Sequence, residues 1–210
     1  MFYPVFIELR NRPVLVVGGG PVAQRKVESL LEAGAAVTVV SPEVTAVLQE
    51  HSVRGEIRLH LRRFLESDLD GLVLAISATD DVSLQKEVAS LAASKKVLVN
   101  TVDHPALCDF IVPAVVRRGE VVIAISTSGA SPALAAALRA RIDGILTEEA
   151  ARTAKLLGSI RAEVHERFAD GDARKKVFAK ILDSGIVDWI GECDDATALE
   201  RVREMMDEPA

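Results

Sequence analysis

Gly18-Gly19-Gly20-Pro21-Val22-Ala23 fits the spacing G-x-G-x-x-A, directly after the apolar run Val14-Leu15-Val16-Val17 and before a helical pattern. In that position the spacing is that of a dinucleotide loop. Gly18 permits the tight turn, Gly20 lets the backbone approach a pyrophosphate, and Ala23 lets the helix pack close to the sheet. The following helix turns its N-terminus, through Pro21 and Val22, toward the phosphate charge. Pro21 costs nothing there, because a first-turn N–H has no intrahelical partner. A purely structural strand-to-helix turn is the plainer alternative for the same glycines. An acid after the second strand commonly bonds the adenosine ribose, and in Val40-Ser41-Pro42-Glu43 the nearest is Glu43. The first basic residue after it is Arg54, so NAD is expected in preference to NADP. Ser41-Pro42-Glu43 also suits a helix start, and the two readings are compatible.

Two further strand ends carry polar groups: Ser77-Ala78-Thr79-Asp80-Asp81 and Asn100-Thr101-Val102-Asp103-His104-Pro105. Ligands of open parallel sheets bind outside the carboxyl ends of strands. Gly18, Glu43, Thr79, Asn100 and Asp103 are therefore expected to ring one crevice, Thr79 and Asn100 as cofactor contacts. For Thr79-Asp80-Asp81 a helix cap with acids at the dipole serves equally well. Asp103 is the best catalytic candidate in the chain. Other chemistries fare worse. The single tyrosine, Tyr3, belongs to no Y-x-x-x-K signature, and His51, His60, His104 and His165 form no H-E-x-x-H pair. His104 and Cys108 stand four apart, where a loop contact is a better reading than a metal site. No metal ligands are assigned.

These residues need elements to hold them. Val14–Val17, residues 37–40, a weaker run at 57–59, residues 72–76 and 97–99 read as strands, with helices over 21–33 and 82–93 and Gly34 as a helix stop. Apolar strands without alternation, separated by amphipathic helices, imply an α/β fold: a Rossmann-like, doubly wound parallel sheet covered on both faces. Near Phe110 the pattern changes. Residues 110–116 and 121–125 read as two strands joined by a tight turn at Arg118-Gly119, and Ser131-Pro132 opens an Ala-rich helix to residue 146. Beyond Glu148 the pattern is helical, with breaks at Asp170-Gly171-Asp172 and around Gly185 and Gly191. The expected organisation is a nucleotide-binding domain at 1–112, a dimerisation and substrate segment at 113–147, and a small helical C-terminal domain at 148–210.

Composition narrows the class. With 49% hydrophobic and 27% charged among 210 residues, the chain is ordinary globular material. A formal net charge of −6 and 4% aromatics argue against nucleic acid as a partner. Apolar runs fall well short of the ~20 residues that span a membrane, and MFYPVFIELRNRP lacks the basic lead of a secretory signal. Cys108 and Cys193 make neither a C-x-x-C pair nor a disulfide framework. A cytoplasmic location with no membrane partner is expected.

Taken in order, Gly18 to Lys26, Ala78-Thr79-Asp80-Asp81, Asn100-Thr101-Val102-Asp103, Cys108-Asp109-Phe110 with Pro113-Ala114, and Ile125 to Ala135 form a series of separate motifs. The series resembles the precorrin-2 dehydrogenase and sirohydrochlorin ferrochelatase family, which includes the N-terminal module of siroheme synthase. The similarity is strong to about residue 146 and loose in the tail. It implies NAD-dependent oxidation of precorrin-2 to sirohydrochlorin in siroheme biosynthesis, and in some members ferrous insertion. It also implies NAD contacts at Pro21, Val22, Pro42 and Glu43, an essential aspartate at Asp103, and a homodimer formed through the segment after the nucleotide domain. The family's serine-rich loop falls on Ser126 to Ser131, with Thr127 where some members carry a modifiable serine.

The residues agree with that reading in physical terms. Precorrin-2 carries eight carboxylates, so the protein must present donors or positive charge to it. The loop Ser126, Thr127, Ser128, Gly129 and Ser131, followed by a helix N-terminus, is one such anion site. Arg117, Arg118, Arg139 and Arg141 are further candidates, though a solvated surface role is the better reading for each. The basic (Arg161, Arg167, Arg174) and acidic (Glu192, Asp194, Asp195) stretches of the tail suit solvated helix faces better than a substrate lid. A different class of function, a regulatory NAD-sensing domain, would keep the glycine loop and need no Asp103.

Overall fold

The computed structural model describes residues 2–207. Residue 1 and residues 208–210, the outer ends of the expected first and last domains, lie outside the described residues. The chain divides into two compact units, one ending at Val112 and the other beginning at Pro113.

The first unit is a five-stranded parallel sheet in the order β3-β2-β1-β4-β5. The strands are β1 (Pro13–Val17), β2 (Ala36–Val40), β3 (Arg58–His60), β4 (Leu74–Ser77) and β5 (Leu98–Thr101). Along β1 the side chains alternate between two dry layers: Val14 and Val16 face one core, Leu15 and Val17 the other. Both faces of the sheet must therefore be covered by helices. Helix α1 (Pro21–Glu32) contributes Ala23, Val27 and Leu30 to the first layer, and α2 (Ala46–Val53) adds Leu48. Helix α3 (Val82–Ser94) brings Leu84, Val88 and Ala92 to the other. This is the doubly wound arrangement the sequence pattern predicts.

The ends of α1 follow from sequence. At its C-terminus Gly34, at φ 72°, donates to the Leu31 carbonyl at 2.8 Å, and Ala35 donates to Leu30 at 3.0 Å. These paired bonds are the Schellman closure that a left-handed glycine allows. Helix α2 starts later than Ser41-Pro42-Glu43, because the Thr45 side chain accepts the Leu48 N–H at 3.3 Å and caps it.

The second unit holds the antiparallel pair β6 (Ala114–Arg118) and β7 (Val121–Ile125), followed by α4 (Pro132–Asp143). Ser131 caps α4 by accepting the Leu134 N–H at 3.2 Å. Helices α5 (Glu148–Ser159), α6 (Arg161–Arg167), α7 (Gly171–Asp183), α8 (Ile186–Trp189) and α9 (Asp195–Asp207) enclose a core of Ile160, Val164, Ile181, Ile186, Ile190, Val202 and Met206. The break between α5 and α6 is one the glycine pattern does not announce. The opposed charges of the tail meet within it: Arg167 pairs with Glu163 and Asp207, and Arg203 with Glu163 at 3.1 Å.

Candidate nucleotide site

The sheet reverses its winding between β1 and β4, and the glycine turn sits at that switch point. Gly18 takes φ +120°, and a Cβ on it would lie 2.2 Å from the Ala78 carbonyl oxygen. A Cβ on Gly19 would lie 2.0 Å from the carbonyl oxygen of Glu43. Both residues are glycine because backbone from neighbouring strand ends occupies the side-chain position. Gly20 is different: its Cβ would meet nothing within 4 Å. Gly20 therefore faces open space, as close approach by a ligand requires.

The N-terminus of α1 is bare. Gly20 offers no side-chain cap, and no acid lies in the first turn. By contrast α2, α3, α4, α5 and α7 are each capped by a side chain, from Thr45, Asp81, Ser131, Thr147 and Asp170. Donors without acceptors at the positive end of a 12-residue helix suit a pyrophosphate.

Two adjoining cavities open here, of about 370 and 410 Å³, sharing Gly18, Ser41 and Thr79. One follows the glycine turn and includes Gly19, Gly20, Pro21, Val22 and Glu43. The other lies at the ends of β2 and β3, with Val40, Pro42, Arg63, Phe64, Leu84 and Glu87 among its walls. Volumes of this size suit small organic ligands. The residues present fit a dinucleotide: a bare helix end for phosphates, a cavity beside β2 walled by Val40, Phe64 and Leu84 together with polar groups, and Glu43 beside the turn.

Of the residues singled out from sequence, Gly18, Gly20, Pro21, Val22, Pro42, Glu43 and Thr79 line this crevice. Ala23 is fully buried in the core below it, which is the packing task its small size serves. Asn100 lines neither cavity. Its amide Nδ2 donates to the Phe110 carbonyl at 2.9 Å. Asp109 Oδ2 accepts the Val99 N–H at 2.9 Å, and Cys108 Sγ accepts the Thr101 N–H at 3.2 Å. The Cys108-Asp109-Phe110 motif thus covers the open edge of β5, and Asn100 belongs to that closure. Cys108 also donates to the Thr101 and His104 carbonyls, so its nearness to His104 is a loop contact.

Asp103 stands outside both cavities, exposed, in a turn after β5 with φ 61°. Lys26 on α1 is its electrostatic neighbour. Burial, and then Arg25, lower the Lys26 pKa, while the charge of Asp103 raises it. Sequence spacing gave no sign of that pair.

Ser126, Thr127, Ser128, Gly129 and Ser131 form the β7–α4 loop of the second unit. Thr127 Oγ1 accepts the Ser131 N–H at 3.0 Å and donates to its carbonyl at 3.1 Å, so the hydroxyl braces the loop. Ser128 and Gly129 both take positive φ, at 54° and 86°. Arg118 is committed to Asp143 at 2.9 Å, which leaves Arg117, Arg139 and Arg141 as the candidate carboxylate partners.

The expectation that no basic residue stands near the second strand holds only along the sequence. In space, β3 lies beside β2 and brings Arg63 into the cavity with Ser41 and Pro42. No helix of the described residues is long and apolar enough to cross a membrane, and no group of three metal-binding side chains gathers among them.

Known proteins resemble this chain along its whole length. A family model described as putative NAD(P)-binding matches residues 5–114, and one for the central part of sirohaem biosynthesis proteins matches 118–144. The siroheme synthase of Methylobacillus flagellatus is 42% identical over 184 residues, 88% of this chain and 39% of its own length. That of Methylococcus capsulatus is 41% identical over 197 residues, 93% of this chain and 42% of its own length. The chain thus spans about two fifths of the curated relatives it matches. The solved structure of SirC, a precorrin-2 dehydrogenase, superposes with a TM-score of 0.78 at 28% identity, covering 97% of this chain and all of its own.

Proposed function

The chain belongs to the family described as putative NAD(P)-binding, and from that membership and its likeness to siroheme synthases and to SirC we propose that it oxidises precorrin-2 to sirohydrochlorin with NAD. The observation that carries the reading is the bare N-terminus of α1 facing open space at Gly20, at the sheet's switch point. Gly18, Gly20, Pro21, Val22, Pro42, Glu43 and Thr79 hold the dinucleotide. The nicotinamide supplies the hydride acceptor. Asp103, on the turn after β5, takes the proton that leaves the macrocycle. Ser126, Thr127, Ser128, Gly129 and Ser131 offer donors to the substrate carboxylates. The reaction takes place in the cytoplasm. Mixing the protein with NAD and precorrin-2 tests it by absorbance: sirohydrochlorin should accumulate with stoichiometric NADH. Nucleotide binding without turnover would leave only the sensing role.

A homodimer through residues 113–147 is part of the same proposal. Helix α4 buries none of its twelve residues, and Leu134 and Ile145 are 52% and 76% exposed. A two-stranded ribbon such as β6–β7 is marginal without a partner surface. Sedimentation should show a dimer at micromolar concentration, and a stable monomer removes this part.

A further inference from the structure

Arg62 and Arg63 follow β3 side by side, and the fold gives them opposite tasks. Arg62 is spent on a two-pronged pair with Asp68, at 2.6 and 2.8 Å, and Nη1 also donates to the Arg63 carbonyl at 3.0 Å. Asp68 completes the closure by accepting the Leu65 N–H at 2.8 Å. Arg63 itself is exposed, and among the described residues its guanidinium has no hydrogen bond or carboxylate partner. It shares a cavity wall with Ser41 and Pro42, at the end of the strand next to the glycine turn.

That strand end is where a doubly wound fold reads the 2′ position of the adenosine ribose. An acid there bonds the hydroxyl, and an arginine accommodates a phosphate. Both are present here, in different compartments: Glu43 lines the cavity of the glycine turn, Arg63 the adjoining one. An unpaired guanidinium has its full fork available for a phosphate. The opposing charges in the Arg63 cavity are Asp81 and Glu87. Asp81 already accepts the Ser83 and Leu84 N–H groups at 2.9 and 3.1 Å, and Glu87 makes no ion pair with Arg63.

We propose that Arg63 reads the ribose 2′-phosphate, so that this site accepts NADP as well as NAD. The inference rests on the dinucleotide reading above. With Glu87 in the same cavity, near-parity between the two nucleotides is expected rather than a preference for NADP.

Titration calorimetry on the full chain tests it with NAD and NADP as probes. The wild type should bind NADP within about tenfold of NAD. In Arg63→Gln the ratio of NADP to NAD dissociation constants should rise by about tenfold or more, the loss expected for one charge-assisted phosphate contact. Competition of 2′,5′-ADP against NAD, a probe with the 2′-phosphate and no nicotinamide, should weaken in parallel. A wild-type ratio above tenfold overturns the proposal, as does an Arg63→Gln change that moves both nucleotides equally or neither. If the wild type binds neither, the dinucleotide reading itself fails; if it binds NAD alone, only the role of Arg63 does.

Discussion

Gly18 lies directly under the carbonyl of Ala78, with no room between them for a Cβ. The contact is a consequence of strand pairing. Val17 pairs with Ser77, the Ala78 N–H donates to the Val17 carbonyl at 2.8 Å, and the Gly18 N–H donates to Val40 at 3.0 Å. The turn is clamped from β2 and β4 before any ligand arrives.

Gly18 and Gly20 should therefore fail in different ways when changed to alanine. At Gly18 the new Cβ meets backbone and a φ of +120° that side chains avoid, costing about 3 kcal/mol or more. The thermal midpoint should drop by roughly 6–12 °C. At Gly20, the N-cap of α1, φ −79° and open space accept a methyl, and loss of the preferred cap residue costs about 1 kcal/mol, so the midpoint should fall by no more than about 4 °C. NAD affinity should nevertheless fall about tenfold or more, because the methyl occupies the ligand's side. Wild-type NAD affinity in Gly20→Ala would place the phosphates elsewhere.

The Arg62–Asp68 pair predicts an acid-limited stability. The Arg62 fork holds the Asp68 carboxyl below the usual carboxylate range. A depressed folded-state pKa adds stability above the ordinary aspartate value of about 4, and that stability drains away as pH falls through the depressed value. Arg62 is partly solvated, so the contribution is about 1 kcal/mol. Urea unfolding at pH 7 should show Asp68→Asn weaker by that amount. The gap between wild type and variant should narrow as pH falls below about 4; a gap that acid leaves undiminished refutes the ionic origin.

Much of this was legible from the chain because local and global preferences agree. The β1 run is apolar at every position, which only a sheet buried on both faces explains, and Gly34 stops α1 through its own φ. The crevice was legible wherever it follows a strand directly: Gly18, Pro42, Glu43 and Thr79. Arg63 was not, because its place depends on β3 pairing beside β2, a contact between segments twenty residues apart. Asn100 misled for a related reason. Its strand end is polar, yet the amide is consumed by Phe110, ten positions on. Polarity at a strand end marks where a ligand can bind, not which side chains remain free to bind it.

Arg152 is the polar keystone of the helical unit. Its guanidinium donates to the carbonyls of Ile190 at 2.7 Å and Cys193 at 2.9 Å, and to Asp195 at 2.8 Å. Three directions at once need a planar fork, which a lysine ammonium on a flexible stem does not reproduce. Arg152→Lys should cost about 1–2 kcal/mol through the two abandoned carbonyls. Trp189, the single tryptophan, lies in this unit under the Arg201 guanidinium, so its fluorescence reports the loss. A lysine variant with the wild-type denaturation midpoint would show that charge alone suffices.

Asp103 provides the sharpest separation of chemistry from structure. Its turn hangs from the neighbouring strand end, with the Val102 N–H donating to Ser77 at 2.9 Å and His104 closing on Thr101 at 3.3 Å. At φ 61° asparagine is tolerated well among residues with side chains, so Asp103→Asn should leave the fold intact. It removes the basicity, and a general base is worth about 10² to 10⁴ in rate. Precorrin-2 oxidation should slow by that factor while NAD affinity stays within about twofold, a difference under ~0.5 kcal/mol. A second readout is independent of turnover. The Asp103 charge supports the protonated form of Lys26, so the Lys26 titration, followed by NMR of labelled lysine, should move to lower pH in the variant. His104→Ala should keep most of the activity. Full activity in Asp103→Asn removes the aspartate as the base, and a dead His104→Ala beside it transfers the role to the imidazole.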